Sequence, residues 1–162
     1  MNHLNYYIFA HALHVVAVVI WIGGVAFVTT VLLPSLKKLG NSTNKITLFE
    51  QLESRFSFQA KITTLLTGLS GFYMLYVTHA WDHYQQLQFW WIPLMTFIWF
   101  LFTLVLFVLE PLFLHRWFHQ QAEKNSSKAL ALIYNFHKIL LFLSLLAVMG
   151  AAAGAHGFNL TR

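Results

Sequence analysis

His11 and His14 lie three residues apart in a run that has no Asp, Glu, Lys or Arg from Tyr6 to Ser35. On a helix, residues at this spacing share a face. At about 100° per residue, Val18, Trp21 and Val25 fall within ~60° of His14 on that face. Imidazole ligates metals and haem iron and titrates near neutrality. In lipid such a group is costly, so it faces the protein interior and marks a functional site. The plainer alternative is that His14 only hydrogen-bonds a Thr or a backbone carbonyl of a neighbouring helix, with Trp21 as ordinary packing.

The element that must position these histidines is an apolar span from about Tyr6 to Leu33, stopped by Pro34. A bilayer core needs roughly 20 apolar residues of helix, so this run is long enough to cross it with a tilt. Met1–Asn5 carries no Lys or Arg and no small-residue cleavage site follows, so the span is read as a permanent helix. Three further spans are expected at about 58–78, 87–109 and 129–155. Asn41-Ser42-Thr43-Asn44 is the turn of the first loop, and Leu48, Leu52 and Phe56 give Thr47–Phe56 helical potential at i, i+4, i+8. Lys61, near the start of the second span, is placed to snorkel. Glu110-Pro111 marks the end of the third span.

Composition agrees. The 162 residues are 58% hydrophobic and 9% charged, against about 25% charged in soluble domains. Aromatics reach 17%, which suits lipid-facing surfaces, interfacial belts and the walls of a flat cofactor pocket. Cysteine is absent, which excludes disulfides, iron–sulfur clusters and thiolate metal sites. No strand pattern, low-complexity stretch or soluble domain is visible. The fold class is all-α: one transmembrane domain, residues 1–162, as a four-helix up-down bundle.

Net charge is 10 − 5 = +5, and its distribution is a topology signal rather than a nucleic-acid signal. Lys37, Lys38, Lys45, Arg55, Lys61, Arg116, Lys124, Lys128 and Lys138 fall on one side, and only Arg162 on the other. The positive-inside rule therefore predicts both termini outside. His3, His11, His14, His79, His83 and His156 then belong to the outer half. His115, His119 and His137 belong to the inner half, where they read as interfacial polar groups.

Gly150 to Gly154 forms a GxxxG, extended by Ala147, Ala151 and Ala155; Ala60, Thr64, Gly68 and Gly71 form a similar stripe in the second span. Small residues let helix backbones approach closely in lipid. These are packing sites first, though they also offer room for a planar ring. The first and fourth helices are expected to touch through Gly24 and the Gly150–Gly154 face.

His11-Ala12-Leu13-His14-Val15-Val16, then Trp21-Ile22-Gly23-Gly24 and Leu32-Leu33-Pro34, resembles the first helix of the copper-resistance protein D (CopD-like) membrane family. The basic first loop, Leu69-Ser70-Gly71-Phe72-Tyr73 and the Gly/Ala-rich last helix are similar too. The likeness spans about Tyr6 to Gly157. It implies copper binding or uptake and a multi-pass protein of the bacterial inner membrane. The wider group includes HemJ-like protoporphyrinogen oxidases, which are haem-binding and have a similar first helix; the likeness carries their first-helix histidine to His14. Their His and Lys near the start of helix three have no counterpart in Phe89-Trp90-Trp91-Ile92-Pro93.

The leading expectation is a b-type haem protein with a redox or electron-transfer role. Haem lies in the outer half, His14 is an axial ligand, and His11 is its substitute or a propionate partner. His156 or His79 supplies the second ligand, and Trp21 packs under the ring edge. Copper is the alternative cofactor: His79 and His83, with His3, form an outer Cu(II) or zinc site if their loop is helical. A HemJ-like oxidase and an accessory subunit without cofactor complete the set. Expected partners are membrane lipid, a redox partner or quinone, and a second copy; nucleic acid is not expected.

Overall fold

The computed structural model describes residues 3–38 and 44–157. The Asn41–Thr43 part of the expected turn and the tail from Phe158 lie outside the described residues, as do the side chains of His3, His115 and His119. Among the described residues every regular element is helical. These are α1 (His3–Phe27), α2 (Leu33–Lys38), α3 (Asn44–Val77), α4 (Trp91–Leu104) and α5 (His115–Ala155). A π-helical stretch, Val28–Leu32, joins α1 to α2, and another, Val105–Leu114, follows α4.

Pro34 does not end the first helix. The chain stays helical to Lys38. A proline ring collides with the carbonyl four residues back, and a wider turn relieves that collision. In the π stretch the Leu33 amide donates to the Val28 carbonyl. The hydroxyls of Thr29 and Thr30 donate to the carbonyls of Val25 and Ala26, each at 2.7 Å. The backbone groups loosened by the π geometry are thus satisfied within the apolar segment. The same device carries the helix through Pro111 to Leu114, while the apolar span itself ends at Leu112, beside Glu110-Pro111 as expected.

Among the described residues three helices are long and apolar enough to cross a membrane: Leu4–Lys38, Trp91–Leu112 and Ala131–Ala155. Their outward faces carry large exposed apolar side chains such as Phe9, Val19, Phe97, Phe100, Ile139 and Phe142. Surfaces of this kind call for lipid rather than water. The 58–78 segment lies inside α3, which begins at Asn44 and absorbs the Thr47–Phe56 stretch. It is not among the three, because its face carries Lys61, Thr63, Thr64, Thr67 and Ser70 between its apolar residues. Those hydroxyl residues are buried, so α3 turns its polar side inward.

Neighbouring helices run in opposite senses. His14 meets Thr67 and Ser70 while Gly24, ten residues on, meets Phe56, so α1 and α3 are antiparallel. Thr64 meets Trp99 while Ser57 meets Glu110, so α3 and the α4 segment are antiparallel. The core between them holds Trp21, Val25, Ala60, Ile98, Phe102, Leu106, Leu140 and Ala147. A smaller cluster of Val28, Leu33 and Leu36 packs against Ile133 and Tyr134.

The glycines pack differently from the expectation. Gly24 faces the Phe56 ring of α3, not Gly150 and Gly154. Those two glycines face the indoles of Trp90 and Trp91. Bulky aromatics of one helix fill the hollows left by glycines of the next, which gives α4 and α5 their close approach without backbone-to-backbone contact. That filling takes up the room a planar cofactor would need at Gly150 and Gly154.

Candidate functional site

His14 sits where α1 crosses α3. Its Nδ1 lies 3.0 Å from the Thr67 carbonyl oxygen and 3.1 Å from the Ser70 hydroxyl. A carbonyl only accepts, and the Ser70 hydroxyl already donates to the Leu66 carbonyl at 2.5 Å. His14 therefore carries its proton on Nδ1 and shares it between the two oxygens. The ring lies over Gly71, where a Cβ would come within 3.2 Å of Cε1. Gly71 is the space in which the imidazole rests. Nε2 keeps its lone pair and has no hydrogen-bond partner among the described residues. An imidazole oriented by an Nδ1–H bond to a backbone carbonyl, with Nε2 open, is in the state in which histidine ligates a metal or haem iron.

The other expected site residues are dispersed. His11 is exposed and stacks on Tyr7, with ring centroids 6.2 Å apart. His156, exposed beyond the end of α5, has Nδ1 2.8 Å from the Ala152 carbonyl and so also leaves Nε2 open. His79 is exposed, with φ 51° in the left-handed region. It precedes a 3₁₀ turn, Ala80–Gln85, in which His83 stacks on Phe89 at 3.9 Å between centroids. The loop is not α-helical, so His79 and His83 do not have the one-face i, i+4 relation expected of a metal pair. Among the described residues no three His, Asp or Glu side chains gather as a metal site. Trp21 is 3% exposed and meets Phe102 edge to face at 4.8 Å, in the hydrophobic core.

An apolar groove of about 370 Å³ runs between α1 and α3, beside the His14 bonds. Tyr6, Phe9, Leu13, Leu66, Leu69 and Tyr73 line it, with Ser70 as its polar edge.

A second polar cluster lies deeper along α3 and was not expected. The Ser57 hydroxyl is 2.6 Å from both carboxylate oxygens of Glu110, and Lys61 Nζ is 3.1 Å from Glu110 Oε1. Ser57 is buried, and the Lys61 and Glu110 side chains are each about one-third exposed. Lys61 is therefore ion-paired rather than simply snorkelling. Ser57 and Lys61 stand at i, i+4, and Glu110 is the one acid in the run from Leu87 to Leu114. Those two features were the available signal. The partnership between them depends on how α3 and α4 pack.

No protein family, curated protein or solved structure matches this chain.

Proposed function

We propose that this chain is an integral membrane protein, a four-helix up-down bundle with both termini outside, that holds a b-type haem through His14 and serves electron transfer in the membrane. The observation that carries the reading is the oriented His14 ring. Its Nδ1–H is held by the Thr67 carbonyl and Ser70, and its Nε2 has no hydrogen-bond partner among the described residues. The residues fit one axial position well. His156, in the same tautomeric state, is the candidate for the other. Bound haem would supply one-electron chemistry; the chain orients the imidazole, excludes water and fixes the depth of the site. The face of Gly150 and Gly154, filled by indoles, is not part of it.

The up-down arrangement rests on the antiparallel pairs and on α3 as the fourth, internally polar crossing helix. An inner bacterial membrane follows from the resemblance to the CopD-like family and from the charge skew.

The test is the absorption spectrum of protein purified from cells with ample haem. A Soret band with reducible α and β bands is expected. His14→Ala should remove or shift that band while membrane insertion is kept. A haem-free wild type, or an unchanged spectrum in His14→Ala, overturns the assignment. Elemental analysis of the same sample reads out copper.

A further inference from the structure

We propose that the seam between α2 and α5 holds the headgroup of an anionic phospholipid, with Lys138, Tyr134 and the pair Lys37-Lys38 as its ligands. The starting point is a charge inside an apolar segment. Lys138 stands within the spanning helix that begins at Ala131, about 10 Å along its axis from that end. Its side chain is exposed, and its Nζ rests over the Tyr134 ring, 5.1 Å from the centroid. Helical side chains lean toward the N-terminus of their helix. The Lys138 stem therefore runs back along α5 toward the end at which Lys37 and Lys38 close α2. The Tyr134 ring gives the ammonium a cation–π contact but no counter-charge.

The described acids give it none either. Among the described residues the only ion pair joins Lys61 to Glu110, and Glu110 also accepts from Ser57. Asp82 lies in the turn beyond the other end of α3, on the His14 side of the molecule. A lysine near the end of a spanning helix carries its head to the headgroup boundary, and the negative charge available there is lipid phosphate.

Packing gathers the remaining donors. Ile133 and Tyr134 pack against Val28, Leu33 and Leu36, so the Tyr134 ring lies where α2 meets α5. Lys37 follows Leu36 directly, and Lys37 and Lys38 are both exposed. The π turn before Pro34 keeps these two lysines on the helix that meets α5. Each ammonium offers three donors and the phenol one more, a set that matches the oxygens of a phosphate diester. Three cations and no described carboxylate favour a headgroup of net negative charge over a zwitterionic one, which brings an ammonium of its own. The site is remote from His14 and does not depend on haem. Its place in the cytoplasmic leaflet rests on the proposed topology, but the binding does not.

The test uses the full chain in detergent, with the thermal midpoint followed as phosphatidylglycerol is titrated in. A rise of several degrees is expected with phosphatidylglycerol and none with phosphatidylcholine. Lys138→Gln should raise the phosphatidylglycerol concentration needed for half of that rise about fivefold, which is what one lysine beside anionic lipid is worth. A Lys37→Gln/Lys38→Gln double variant should raise it at least as much. Lys138→Arg should stay near the wild type, and this separates loss of the charge from loss of the fold. Arg55→Gln, which removes a cation that lines a separate recess with Gln51 and Ser54, should leave it nearly unchanged. An equal rise with phosphatidylcholine, or with inorganic phosphate, overturns the proposal. So does an unchanged half-point in Lys138→Gln, or an Arg55→Gln shift as large as that of Lys138→Gln, which would mean diffuse attraction to a basic surface.

Discussion

At the scale of residues, His14 shows how one hydrogen bond decides what a side chain is available to do. A histidine bonded through Nε2 would leave Nδ1, beside its own backbone, as the free nitrogen; bonded through Nδ1 to Thr67 and Ser70, it leaves Nε2 free at the far end of the ring. Gly71 makes that possible, and this gives a test of the proposed haem site that leaves His14 in place. With haem on His14 as proposed, Gly71→Val should push the imidazole from its seat and lower the haem-to-protein ratio after purification. Ser70→Ala should do much less, because the Thr67 carbonyl still accepts the proton. The Lys61–Glu110 pair gives a second residue-scale prediction. Glu110→Ala leaves Lys61, about one-third exposed, without its counter-ion. Thermal unfolding in detergent should show a clear fall for Glu110→Ala. A Lys61→Met/Glu110→Met double variant should recover much of it, because a partly buried pair costs most when only one partner is removed.

At the scale of elements, α3 carries the two polar clusters and also the small residues that let its neighbours in. Gly68 is where the Trp99 indole enters, and that entry lets Trp99 Nε1 reach the Thr64 carbonyl. α5 works in the same way with Trp90 and Trp91. Gly154→Leu should therefore lower the thermal midpoint in detergent through collision with Trp91. Pairing it with Trp91→Ala should restore part of the loss, whereas Gly24 substitutions should leave the α5 contact untouched. The two π stretches belong to this scale too. They keep helices continuous through Pro34 and Pro111, and the second places Glu110 in the last turn of a candidate spanning segment.

At the scale of the whole molecule, the skew of Lys and Arg along the chain predicts sidedness. Reporter fusions at Asn159 should report outside and at Ser42 inside; a cytoplasmic signal at Asn159 would refute the topology. With that orientation the Glu110 cluster lies toward the cytoplasmic side and His14 toward the outside.

The helical class and three of the candidate crossing segments are written in local features, long uncharged apolar runs; so is the plainer reading of His14, an imidazole inside one such run that bonds a backbone carbonyl of a neighbouring helix. Helical periodicity also placed Trp21 and Val25 on the buried face of α1. The boundaries were less legible, because proline is a local stop signal and only the π turns, which depend on the helices around them, override it. Tertiary structure alone decided which glycine meets which ring, since a glycine shows only that something approaches and not what. It also decided that Lys61 pairs with Glu110, 49 residues away, and that His14 donates through Nδ1. Such pairings depend on the relative rotation and depth of whole helices, to which no short stretch of sequence is sensitive.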